Sequence, residues 1–321
     1  MHKVLFLRKK KEGENSMEEL AYNLVKEMPD VELCVLPGYS TEIRGMFQNI
    51  KYARKYQGEV NHIFSITDAY LCIFLRGCKV LTCHDLGSLN SFRPYGRIVA
   101  WLFWVYLPSF FWDVCTCISS EVSSELKQKI PWRKKQIKTI YNFYNKDIVY
   151  SSKCLNIKCP VILQIGTGIR KNLTNVIYAL KGVNCKLLIV GKMFDEQKKA
   201  LEECNTYYEN DFDIPFSRMI ELYKLADIVS FPSSYEGFGV PLIEANAIGR
   251  PVVAGDIPVL HEIGRNAALF VNPHDVQELR NAFLRLIEEP DLYHTLVERG
   301  RQNANRFKLT EIARQYNKLY V

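Results

Sequence analysis

Short apolar runs recur along the chain, each followed by a polar turn and then by a longer stretch with helical spacing. Residues 4–7, 31–36, 60–65, 79–83, 114–118 and 137–141 form one series, and residues 161–165, 186–190 and 227–232 belong to a second. Nearly continuous apolarity over four to six residues predicts strands buried on both faces of a parallel sheet. Helices are predicted between them. Ser16-Met17-Glu18-Glu19 has the form of a capping box that opens a helix ending near Met28. Further helices are predicted over 240–247, 276–287, 292–306 and 310–320. Strands alternating with helices in both halves predict an α/β protein of two doubly wound, Rossmann-like domains. Residues 145–158 are polar and irregular and read as the linker. The domains are therefore placed at 1–148 and 156–307.

The run from Ile98 to Trp112 is different in kind. It is 15 residues long, holds Pro108, and is rich in aromatic side chains. A bilayer span needs roughly 20 apolar residues, so no transmembrane helix is expected. The run reads as a core helix of the first domain, with a segment dipping into a membrane surface as the second reading.

A length of 321 residues suits two domains. The 48% hydrophobic and 24% charged content is ordinary for a globular protein. The ten cysteines are irregularly spaced and the first residues read as a strand, so reduced thiols in the cytoplasm are expected, with no signal peptide. Neither Cys154 with Cys159 nor Cys115 with Cys117 completes a four-ligand metal set. The net charge is +7, and residues 1–150 hold 21 Lys and Arg against 15 Asp and Glu. The basic surplus is densest at 8–11 and 133–135. It reads as a solvated face or as a surface for anionic lipid or a phosphate-bearing acceptor. No nucleic-acid module is recognisable, so nucleic acid is not an expected partner.

The richest chemistry lies in Ser234-Tyr235-Glu236-Gly237-Phe238-Gly239-Val240-Pro241-Leu242-Ile243-Glu244. A strand passing through a glycine turn into a helix aims backbone N–H groups and the positive helix end at an anion. Two carboxylates flank that position and accept hydrogen bonds from hydroxyls. Glu244 falls about four residues into the helix, or roughly 6 Å along its axis, which is about the span from a phosphate to its ribose. Glu236 precedes the turn, where a sugar on the diphosphate would project. A nucleotide diphosphate-sugar has this pattern of groups; an ordinary strand–loop–helix crossover with solvated glutamates remains the plainer reading.

This segment resembles the donor signature of retaining glycosyltransferases of the two-domain GT-B architecture, in the family-4 or group 1 type. There two glutamates separated by seven residues enclose Gly-Phe-Gly. The resemblance runs from Ser217 to Phe307 and includes Gly249-Arg250-Pro251-Val252-Val253-Ala254 and Ala267 to Asp275. It implies two domains facing across a cleft, with the first on the acceptor side, the second binding the donor, and a terminal helix over 308–321 crossing back to the first. It implies that Glu236 holds the sugar hydroxyls and Glu244 the ribose diol, with Gly237, Phe238, Gly239 and Val240 lining the donor site.

Ile165-Gly166-Thr167-Gly168-Ile169-Arg170-Lys171-Asn172 opens like a dinucleotide fingerprint, but Lys171 stands where the third glycine belongs. A basic pair there suits a diphosphate leaving group. The turn resembles the family's phosphate clamp, with Lys171 as its lysine, Arg170 replacing its arginine, and Gly166 and Thr167 beside the donor. His84 follows a strand and resembles the family's His-Asp segment facing the donor sugar; a neutral imidazole there hydrogen-bonds a hydroxyl or orients the acceptor. The loop Lys10 to Ser16 takes the place of the family's first-domain glycine loop but carries Gly13 alone. Ser119 and Glu121 resemble a strand-end segment of the family.

Asp211-Phe212-Asp213 matches the metal-holding D-x-D of the other large glycosyltransferase fold. It falls in the wrong part of this chain, so no metal and no cofactor are expected beyond a UDP- or GDP-sugar used as substrate. The resemblance thus implies a metal-independent hexosyltransferase, and the basic, aromatic first half points to a glycan or lipid-linked acceptor in polysaccharide synthesis, at the cytoplasmic face of the membrane. A sugar-nucleotide epimerase or glycan phosphorylase of the same fold, and a non-catalytic nucleotide-sugar-binding module, are the alternatives.

Overall fold

The computed structural model describes residues 1–10, 16–87 and 94–320. The side chain of the Ser16 cap and residues 11–15, with Gly13, lie outside what it describes. The chain forms two compact units, Met1–Phe143 with Leu309–Val321, and Tyr144–Lys308.

In the first unit the elements run β1 (Lys3–Leu7), α1 (Ser16–Glu27), β2 (Val31–Val35), α2 (Ile43–Tyr56), β3 (Val60–Ile63), β4 (Cys78–Cys83), α3 (Pro94–Trp101), β5 (Val114–Cys117), α4 (Ser120–Lys129) and β6 (Ile137–Thr139). All strand pairs are parallel, in the order β2-β1-β3-β4-β5-β6. Burial of both faces explains the continuous apolar runs. Val4 and Phe6 enter one core with Ile63, Leu81 and Cys115. Leu5 and Leu7, pointing the other way, enter a second core with α1. Ser119 caps α4 by accepting from the Val122 N–H at 3.2 Å, which gives it a structural role.

The second unit runs β7 (Val161–Ile165), α5 (Leu173–Ala179), β8 (Lys186–Val190), α6 (Asp195–Glu203), β9 (Tyr208–Asp211), α7 (Phe216–Leu225), β10 (Ile228–Phe231), α8 (Val240–Ile248), β11 (Val252–Gly255), α9 (Pro258–Gly264), β12 (Leu269–Val271), α10 (Val276–Glu288) and α11 (Pro290–Ala304). Its parallel sheet has the order β12-β11-β10-β7-β8-β9. The order reverses between β7 and β10, whose registers place Leu163 beside Val229. Arg250 is buried and donates to the carbonyls of Ala226, Ser151, Ile248, Gly249 and Lys224, fastening the end of α8 to the segment before β7.

The last helix, α12 (Leu309–Asn317), returns to the first unit. Its Leu309, Ile312, Ala313 and Tyr316, with Tyr320 beyond it, complete the core that holds α1, Leu5 and Leu7. A polar chain anchors it. Tyr320 Oη lies 2.5 Å from His62 Nδ1, His62 Nε2 lies 2.6 Å from Thr82 Oγ1, and Thr82 Oγ1 lies 2.7 Å from Thr116 Oγ1.

The expected core helix over 98–112 is corrected. The helix α3 ends at Trp101, residues Leu102–Tyr106 form a wider π turn, and Pro108–Phe110 a 3-10 turn. Pro108 cannot donate to a helix ladder, which accounts for the break. Trp104, Val105 and Trp112 are buried, but Ile98, Phe103, Phe110 and Phe111 are exposed. No helix among the described residues is long and apolar enough to cross a membrane. All ten cysteines are free thiols.

Candidate functional site

Strand order in the second unit reverses between β10 and β7, and the carboxyl ends of the strands at such a reversal are the usual ligand position in these sheets. The two segments with candidate chemistry leave those strands side by side. The turn after β7 carries Gly166 to Asn172, and the loop after β10 carries Ser234 to Gly239. Backbone bonds clip them together, since the Ser234 N–H donates to the Arg170 carbonyl at 2.9 Å.

Gly166 has φ +87, a region that favours glycine, and a Cβ there would lie 2.8 Å from Lys171 Cγ. The lysine stem thus runs directly over the glycine. Arg170 and Lys171 occupy a single 3-10 turn, Ile169–Lys171, and Asn172 at φ +62 separates them from α5. The basic pair therefore precedes the helix instead of heading it. Gln164 holds the turn by donating to the carbonyls of Gly166 (3.3 Å) and Lys171 (2.9 Å). Thr167 is buried and donates to the Lys192 carbonyl at 2.6 Å. Arg170 is exposed, its guanidinium 5.1 Å from the ring centroid of Tyr235.

Between the two segments, Lys171 Nζ lies 2.5 Å from Glu236 Oε1 and 4.7 Å from the Phe231 ring centroid. Both members of this ion pair are partly shielded, with 29% and 15% of their side-chain surface exposed. Gly239 caps α8 at φ +104, where a Cβ would meet Leu260 at 2.6 Å. The Phe238 ring is buried, edge-on to Phe307 at 5.6 Å, so Phe238 presents its backbone to the turn. Gly237 and Val240 are half-buried beside it. Pro241 in the first turn of α8 has no N–H and the Leu242 N–H donates to the Gly239 carbonyl at 3.1 Å, so what α8 offers an anion is chiefly the positive end of its helix dipole.

Glu244 lies one turn into α8 and is buried. Tyr223 from α7 donates to its Oε2 at 2.8 Å. Burial, then the Glu244 charge, pushes the Tyr223 hydroxyl well above its ordinary range, so it stays a donor. This carboxylate is thus fixed in place by a partner that the sequence pattern does not reveal. Gln164 had a detectable signal: it is the polar member of the otherwise apolar strand β7.

In the first unit, His84 follows β4 directly. Its ring stands edge-on to Phe64 at 4.8 Å, and its Nε2 is buried with no hydrogen-bond partner among the described residues. Burial pulls its pKa down to about 4 against the opposing Asp85 charge, so the ring is neutral at pH 7. Asp211, of the Asp211-Phe212-Asp213 segment, ends the edge strand β9 and accepts from Arg218 Nε at 3.0 Å.

The model of the glycosyl transferases group 1 family matches residues 153–303. An O-antigen chain mannosyltransferase of Salmonella typhimurium is 42% identical over 79 residues, which is 25% of this chain and 22% of that protein. An uncharacterized glycosyltransferase of Methanocaldococcus jannaschii is 26% identical over 93% of this chain and 92% of its own length. The chain spans about a quarter or less of the mannosyltransferase it matches. Among solved structures, Anabaena HepE in complex with UDP-glucose superposes with a TM-score of 0.80 at 18% identity, covering 98% of each chain. The fold of the two units is thus that of the GT-B glycosyltransferases, and residues 153–303 match the glycosyl transferases group 1 family.

Proposed function

We propose that the protein is a retaining glycosyltransferase that moves a hexose-type sugar from a UDP- or GDP-sugar to an acceptor hydroxyl, without a metal ion. The observation that carries this reading is the Lys171–Glu236 pair at the strand-order reversal, set against the Gly239 turn and the Tyr223-held Glu244. Names of relatives support it, since one is an O-antigen chain mannosyltransferase and a structural neighbour was solved with UDP-glucose.

In this reading the diphosphate lies over the first turn of α8, with Lys171 and Arg170 neutralising the leaving group. Glu244 accepts from the ribose diol and Glu236 from the sugar hydroxyls. The neutral His84 imidazole donates to or accepts from a sugar or acceptor hydroxyl. The bond from sugar to phosphate breaks as the acceptor oxygen bonds to the same face of the sugar. The acceptor proton passes to the departing phosphate oxygen. The acceptor is a glycan or lipid-linked saccharide of a cell-surface polysaccharide, met at the anionic inner face of a membrane.

The test is release of UDP or GDP from a panel of sugar nucleotides, with and without EDTA, for the parent and Glu236→Gln. Donor turnover that survives EDTA and falls at least 100-fold in the variant, about 3 kcal/mol of transition-state stabilisation, is expected. Nucleotide binding without turnover of any donor would leave a binding module. A donor epimer formed without acceptor would identify an epimerase.

A further inference from the structure

The first unit contains an apolar groove of about 640 Å³ that the donor chemistry does not use. Its walls are α2, carrying Ile43, Met46 and Phe47, and the segment from α3 into the π turn, carrying Val99, Phe103 and Trp104. The volume is that of a small-molecule site. Ile43 and Phe47 are at least two-thirds exposed, and Phe103 is 42% exposed. Apolar surface of this kind on two facing walls, with the concavity between them, marks a binding site for something apolar.

Charge specifies the rest of the ligand. By sequence, α2 carries Arg44, Lys51, Arg54 and Lys55, the segment 94–112 carries Arg97, and neither has an Asp or Glu. At one end the groove shares Ser40 and Thr41 with a smaller recess lined by Arg8, Lys9, Gly38 and Thr67, where Arg8 is ion-paired with Glu18 at 3.2 Å and Lys9 is exposed. Ser40 at this seam is fixed by a buried network: it bonds to Asp68, Asn49 Nδ2 lies 3.2 Å from it, and Tyr70 Oη lies 3.1 Å from it. An apolar groove opening onto a basic recess through a rigid polar seam complements an amphiphile with a hydrocarbon chain and an anionic head.

We infer that this groove takes the hydrocarbon chain of a lipid phosphate, with the phosphate toward Lys9, and that this lipid is the anchor of the acceptor. Identifying the lipid as the acceptor's anchor rests on the transferase reading; the chain site itself does not.

The test is titration of tryptophan fluorescence with octyl, decyl and dodecyl phosphate below their micelle concentrations, using Trp104 in the groove wall as reporter. Saturable binding that tightens roughly tenfold per two added carbons is expected, with no response to inorganic phosphate. Phe47→Glu combined with Phe103→Glu changes two exposed positions and should weaken dodecyl phosphate at least tenfold. Val99→Trp, which fills the groove without adding charge, should do the same. Absence of saturable binding, or equal binding by both variants, overturns the inference. Binding to anionic phosphatidylglycerol vesicles without binding of the monomeric amphiphiles overturns it too, and points to a membrane surface as the occupant. Thermal shifts with UDP-glucose and GDP-mannose on the same samples separate the two readings. A donor response without chain binding removes this inference alone, and chain binding without any donor response removes the transferase reading.

Discussion

Lys171 and Glu236, 65 positions apart in sequence, meet as an ion pair with Nζ 2.5 Å from Oε1. In the proposed reaction the diphosphate competes with Glu236 for the lysine, and the carboxylate is released toward the sugar. The two members should therefore respond differently to a ligand that lacks the sugar. Lys171→Ala is expected to weaken UDP or GDP binding by about tenfold or more, the worth of a charge-assisted contact. Glu236→Ala is expected to leave it unchanged or tighten it a few-fold, while donor turnover collapses. Calorimetric titration with the nucleoside diphosphate is the measurement. Equal weakening by both substitutions would remove Glu236 from the sugar side.

Tyr223 and Glu244 form the second pair in this site, buried where Lys171 and Glu236 are partly open. Tyr223→Phe removes one donor from a buried carboxylate and should destabilise the protein by about 1–3 kcal/mol. If Glu244 holds the ribose diol, the preference for UDP over 2′-deoxy-UDP should narrow in Tyr223→Phe and vanish in Glu244→Ala. A preference untouched in Glu244→Ala would assign the ribose to another residue.

The glycines make a graded series. Gly239 combines φ +104 with a 2.6 Å approach to Leu260, and Gly166 combines φ +87 with a 2.8 Å approach to the Lys171 stem. Gly168 has φ −57 and open space around it. Alanine at Gly239 should cost about 1–3 kcal/mol in chemical denaturation. At Gly166 a similar loss should come with weaker nucleotide binding, because the lysine is displaced. Gly168→Ala should be close to neutral, and a large loss there would contradict the geometry of this turn.

Legibility in the sequence followed the strength of the periodic signal. The strands β7 and β8 stand at the bounds their apolar runs predict, because a strand buried on both faces leaves no other pattern. The helix after Gly239 was equally readable, since the glycine turn and Pro241 mark its start. The helix α2 was not predicted: its exposed Ile43 and Phe47 interrupt the usual polar face. The pattern over 98–112 leaves a core helix and a membrane-surface segment both open, because composition reports apolarity, not which side meets solvent. Long-range partners such as Tyr223 for Glu244 leave no mark on local spacing.

His62 and His84 should impose a pH dependence on the first unit. Burial holds them down to about 3 and about 4, below the ordinary 6.5. Between about pH 6.5 and pH 4 the unfolded chain therefore binds more protons than the native one, and stability falls as pH falls. Asp68 opposes this, since burial raises its carboxyl to about 6 and the native state gains as that group is protonated. From pH 7 to pH 5, His62→Gln should lose about 2 kcal/mol less stability than the parent. Identical losses in urea titrations at the two pH values would mean that His62 is not held neutral.

The anchoring of Tyr320 on His62 also dictates an order of events during synthesis. The first unit cannot close its core until the residues of α12 leave the ribosome, although its sheet is made first. The second unit is uninterrupted in sequence and is finished earlier. At usual translation speeds the first unit waits on the order of ten to thirty seconds with Leu5, Leu7 and Leu24 uncovered. Chains truncated before Leu309 and released from the ribosome should thus protect the second unit from protease and leave the first one cleavable, the reverse of the common vectorial order.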